Sequence, residues 1–101
     1  PSLRVVDLYS NHIRTLSRDV FHNTRVEALD LSNNEFIIFP SQVLGDVGFT
    51  LRHLDLSYNQ IDRIDSTMFH ETPFLTNLNL CRNKLNILPD NVFTSLDNLL
   101  N

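Results

Sequence analysis

The sequence predicts an α/β solenoid: a horseshoe segment with short parallel strands in a concave sheet and irregular or short-helical returns along the convex side. Three observations carry that expectation. First, Asn11, Asn34, Asn59 and Asn83 recur at intervals of 23, 25 and 24 residues. Second, each asparagine closes the same apolar run. The four runs are Leu3, Val6, Leu8 and Ile13; Val26, Leu29, Leu31 and Phe36; Leu51, Leu54, Leu56 and Ile61; and Leu75, Leu78, Leu80 and Leu85. Third, the 101 residues hold 17 leucines and 12 asparagines, an excess that a tandem repeat accounts for.

Each element follows from the pattern. Alternation about the fourth and sixth positions of a run is the period-two signal of a short strand. Strands that recur every two dozen residues, each followed by a compact return, stack in parallel against their neighbours. Their inward leucines then form one core column. The asparagine falls where the strand turns away. Its amide both donates and accepts, so it suits the backbone groups that such a turn leaves unpaired. A structural ladder of Asn11, Asn34, Asn59 and Asn83 is therefore expected. Leu16, Phe39, Ile64 and Leu88 lie three residues past each run, and Phe21, Leu44, Phe69 and Phe93 five further on, predicting a second apolar spine. Pro40 and Pro89 suit the first turn of short helical segments. The second unit is longer in its return, where Gly45 and Gly48 are expected to supply positive φ. Repeats are placed at 3–25, 26–50, 51–74 and 75–98, with the start of a fifth at 99–101. A single array with neither cap is expected, an interior slice that is marginal alone.

The run L-x-x-L-x-L-x-x-N-x-L resembles the leucine-rich repeat family over essentially the whole chain. A period near 24 with phenylalanine in the return is similar to the extracellular class of that family. Leu51 to Ile64, followed by Met68 and Phe69, resembles insect cell-surface members that mediate photoreceptor cell adhesion. That resemblance implies homophilic adhesion in photoreceptor morphogenesis, on the outer face of the plasma membrane, through a lipid (GPI) anchor outside these residues. The alternative it implies is a ligand-binding ectodomain of a Toll-type receptor.

Charge and motifs narrow the function classes. A net charge of −4 lacks the basic excess of nucleic-acid binders. No apolar run approaches the ~20 residues of a membrane-spanning helix. Cys81 has no internal partner, and a free thiol is expected. No Asn-x-Ser/Thr glycosylation sequon occurs among the asparagines, although extracellular relatives usually carry some. The outward strand positions form columns: Arg4, Glu27, Arg52 and Thr76; Val5, Ala28, His53 and Asn77; Asp7, Asp30, Asp55 and Asn79. Two more are expected to face outward: Tyr9, Ser32, Ser57 and Cys81, then Ser10, Asn33, Tyr58 and Arg82. The aspartates are read as a solvated face, with Arg4 and Arg52 close enough to screen them. His12, His22 and His70 are expected to face solvent. A shallow sheet offers no water-excluding pocket for a nucleophile and base, and no catalytic, phosphate-binding or metal motif is present, so no enzyme, cofactor, metal or small-molecule substrate is expected. Partner contact is assigned to Arg4, Asp7, Tyr9, Asp30, Arg52, His53, Asp55, Tyr58, Asn77, Asn79 and Arg82. Tyrosine and arginine are enriched at interaction hot spots.

Overall fold

A computed structural model describes residues 4–17, 19–38, 44–63, 69–70 and 72–85. Four three-residue strands, β1 (Val5–Asp7), β2 (Ala28–Asp30), β3 (His53–Asp55) and β4 (Asn77–Asn79), form one sheet in sequence order. All pairings are parallel, in the register of the repeat: Val6, Leu29, Leu54 and Leu78 stand side by side. The strands are short because only the centre residue of each needs the core. Its two neighbours point to the concave side.

Backbone hydrogen bonds repeat from turn to turn. Leu8, Leu31 and Leu56 donate to the carbonyls of Asp30, Asp55 and Asn79 at 2.8–2.9 Å. Beyond the asparagines, Glu35, Gln60 and Lys84 donate to the carbonyls of Ile13, Phe36 and Ile61. Neighbouring turns are thus joined well past the sheet itself.

Inside, Leu29, Leu31, Leu51, Leu54, Leu56, Phe36, Ile61 and Leu75 pack as one core with Phe21, Leu44 and Phe69. Each such side chain contributes roughly 1.5–3 kcal/mol by leaving water. Val6, Leu8, Ile13 and Leu16 of the first turn are only partly buried, as are Leu78, Leu80 and Leu85 of the fourth. Leu3, Phe39, Pro40, Ile64, Met68, Leu88, Pro89, Phe93 and the start of the fifth repeat at 99–101 fall outside the described residues.

The glycines depart from expectation. The long return of the second unit is a 3-10 turn at Gly45–Val47, and no glycine among the described residues has positive φ. Gly48 is right-handed, with φ −59° and ψ −33°, and buried. The turn bends in the ordinary helical sense, which needs no positive φ. Left-handed backbone occurs instead at non-glycine residues. Ser10 (57°), Asn33 (55°), Tyr58 (56°) and Arg82 (60°) share it at the eighth position of their turns, and Asn23 (61°) adopts it in the first return. A non-glycine residue held there costs roughly 1–2 kcal/mol.

Candidate functional site

Immediately after that left-handed residue comes the asparagine. Asn59 Nδ2 donates to the carbonyls of Leu56 and Ser57 in its own turn and to Leu31 in the preceding one, at 3.0–3.2 Å. Its Oδ1 accepts the Phe36 N–H at 3.0 Å. Asn34 donates likewise to Leu31, Ser32 and Leu8, and accepts from Asn11 and Ile13. Asn83 repeats the pattern with Leu80, Cys81, Leu56 and the Ile61 N–H. Asn11 donates to Leu8 and Tyr9 of its own turn. The amides therefore hold the bend at which each strand leaves the sheet.

The concave face is an open groove of about 610 Å³ whose walls are the outward residues of all four strands. Val5, Ala28, His53 and Asn77 make one row, and Asp7, Asp30, Asp55 and Asn79 the next. The second row has a local duty that the sequence reading missed. Asp30 Oδ1 accepts the Ser32 N–H at 2.9 Å and the Ser32 hydroxyl at 2.6 Å. Asp55 does the same for Ser57 at the same distances. Asp7 accepts the Tyr9 N–H at 3.1 Å, and Asn79 the Cys81 N–H at 3.0 Å. These are side-chain turns of the Asx type, which close a bend two residues on. The spacing Asp-x-Ser at 30–32 and 55–57 was the available signal.

Two expectations are corrected by this geometry. Ser32 and Ser57 do not face outward: each is 5% exposed. The strand ends at the fifth position, so alternation stops and the bend folds the seventh residue back onto its aspartate. Tyr9 and Cys81 at that position are exposed. Among the described residues the arginines form no ion pair with the outward aspartates. Arg4 pairs with Glu27 at 2.9 Å, and the Arg52 guanidinium lies 5.8 Å from the centre of the Phe74 ring. Residues at the second position sit at the entry to each strand, and their side chains find partners on that edge.

The entry edge holds a feature absent from the repeat pattern. Phe49, 81% exposed, lies 6.2 Å from Phe74 between ring centres. With Arg52 these rings form a small aromatic patch across two turns. At the opposite, exit edge, Tyr9, Tyr58 and Arg82 are exposed and Asn33 donates to the Ser10 hydroxyl at 2.8 Å.

Further along the return, Glu35 accepts from Arg14 Nε at 3.0 Å and lies 2.8 Å from His12 Nδ1. The Arg14 bond foremost, then that to His12, holds its carboxyl below the usual carboxylate range. Elsewhere the ligand atoms of Asp19, His22 and Asp46 come within 4.8 Å of one another, all three residues exposed. Exposed groups of this kind are common without an ion. Beside His53 and Asp55, the Ser57 hydroxyl is buried and donates to Asp55 itself.

A stack of parallel strands locked by amide ladders, with two exposed edges and a concave face between them, defines a scaffold of the solenoid class. The sequence profile described as "Leucine rich repeat" matches residues 49–101, and the chain belongs to that family. It is 43% identical to Tsukushi of Gallus gallus over 68 residues, 66% of this chain and 18% of that protein. To Chaoptin of Drosophila melanogaster it is 39% identical over 72 residues, 71% of this chain and 6% of that protein. The solved structure of a leucine-rich repeat protein from Leptospira interrogans superposes with a TM-score of 0.78 at 31% identity, covering 93% of this chain and 23% of the other. The chain thus spans less than a quarter of any of these relatives.

Proposed function

We propose that the chain is a partner-binding segment of an extracellular leucine-rich repeat protein, and that its partner is a protein. One observation carries this reading: the outward rows of all four strands line one open groove, with Asp7, His53 and Asn79 exposed along it. The core residues and amides beneath are fully engaged in scaffold. Similarity to Chaoptin and the extracellular character of the repeat support homophilic cell adhesion at the plasma membrane, in the photoreceptor setting that the resemblance to insect cell-surface members implies. Beads coated with the chain and mixed in two colours test it. Mixed clusters that disperse on adding soluble chain are the expected result. Beads that stay single, while capturing a different soluble protein, would favour the receptor-ectodomain alternative.

A further inference from the structure

The exit edge carries a recess that the repeat itself does not require. It measures about 480 Å³ and is lined by Tyr9, Asp30, Asn33, Asp55 and Tyr58, with Ser32 and Ser57 behind the carboxylates. Three turns build it. Tyr9 comes from the first, Asn33 from the second and Tyr58 from the third, so two aromatic residues bracket a gap of one turn. Both tyrosines are more than half exposed, at 57% and 58%. Asn33 is tied to the first turn by its bond to Ser10.

Asp30 and Asp55 are direct partners in the β2–β3 register, so their backbones lie about 4.8 Å apart. Each engages Oδ1 with its serine. Among the described residues neither carboxylate has an ion pair, since Arg4 goes to Glu27 and Arg52 to Phe74. Two carboxylates on directly paired strand positions repel each other, and a cation between them relieves the repulsion. Tyrosine faces attract the same cation through their ring quadrupole.

Resting on the partner-binding reading above, we propose that this recess receives a lysine or arginine side chain of the protein partner. The head group sits against Asp30 and Asp55, and its apolar stem lies between Tyr9 and Tyr58. The occupant is cationic because the recess offers carboxylates without a counter-charge, and it is a side chain because the recess opens to solvent along the edge. Charge complementarity sets the class of partner: a basic segment running along the exit edge.

The chain contains its own control for the test. At the same position in the fourth turn Asn79 holds the Cys81 N–H as an aspartate would. Asp30→Asn and Asp55→Asn therefore keep the Asx turn while removing the charge. The isotope-labelled chain is titrated with an unstructured peptide of alternating arginine and glycine, and with a glutamate–glycine peptide for comparison. Saturable shifts at the amides of Tyr9, Asn33 and Tyr58 are expected with the arginine peptide alone, weakening as salt is raised. The double asparagine variant should lose about tenfold or more in affinity, and Tyr9→Ala and Tyr58→Ala several-fold each. Absence of saturable shifts overturns the proposal. So does unchanged binding by the double variant while its spectrum stays folded. Peptide binding without bead clustering leaves the cation recess standing and removes homophilic adhesion; clustering without peptide binding does the reverse.

Discussion

Asn59 and Asn11 hold the same place in turns two repeats apart, yet the first is 6% exposed and the second lies open to solvent. Asn59 joins two turns through four hydrogen bonds, while the amide group of Asn11 bonds to carbonyls of its own turn. The same contrast runs through the apolar column. Leu54 is 2% exposed, and its counterpart two turns earlier, Val6, is only partly buried. Equivalent motif positions thus carry different energetic weight. In a solenoid that weight comes from the turns on either side.

The largest effect should separate the asparagines. Asn59→Ala strips partners from buried backbone groups, each worth roughly 1–3 kcal/mol, so a loss of about 3–5 kcal/mol is expected in urea unfolding. Asn11→Ala should cost about 1 kcal/mol or less, since water replaces what it loses. Equal losses would break the comparison. Next comes the core column: Leu54→Ala is expected to cost about 2–5 kcal/mol, and Val6→Ala clearly less because water already reaches its site. Thermal melts of the two variants check the order.

A smaller change sharpens the contrast between neighbouring backbone positions. Tyr58 has positive φ and Tyr9 does not. Tyr58→Gly should therefore raise stability by about 0.5–1 kcal/mol, whereas Tyr9→Gly should lower it. The smallest effect concerns Glu35, which ties the first turn to the second through Arg14 and His12. Its carboxyl is held below its ordinary value in the folded chain, so its contribution is present above the unfolded pKa and is lost as pH falls through the depressed one. Melts of the chain and of Glu35→Gln should differ near neutral pH and converge on acidification. A difference that grows in acid would reverse the sign.

What the sequence disclosed follows the period. Asn34 and Asn59 recur with apolar flanks, and the strands, their parallel register and the core column follow from that spacing. The charged row was legible in position but not in role. Asp30 and Ser32 sit two apart, which is Asx-turn spacing, yet solvent exposure is an equally ordinary reading of an outward aspartate. Burial of Ser32 and Ser57 was hidden because alternation ends at the fifth position and nothing in a serine announces the bend. The left-handed column was hidden more deeply. Ser10, Asn33, Tyr58 and Arg82 share a backbone conformation without sharing a chemistry, and the glycines that would have advertised it lie elsewhere. Phe49 and Phe74 belong to no repeat position at all, so only folding brings their rings together.

That left-handed column limits how the exit edge can vary. Side chains branched at Cβ crowd the preceding carbonyl in this conformation, so valine, isoleucine and threonine are the poorest substitutes there. Asparagine, serine and unbranched long or aromatic side chains are better tolerated. The backbone thereby prescribes an alphabet for the edge of polar and aromatic letters, which are also the residues that bind by hydrogen bond and stacking. Diversification of such an edge would change its specificity while keeping it from becoming a greasy, aggregating seam.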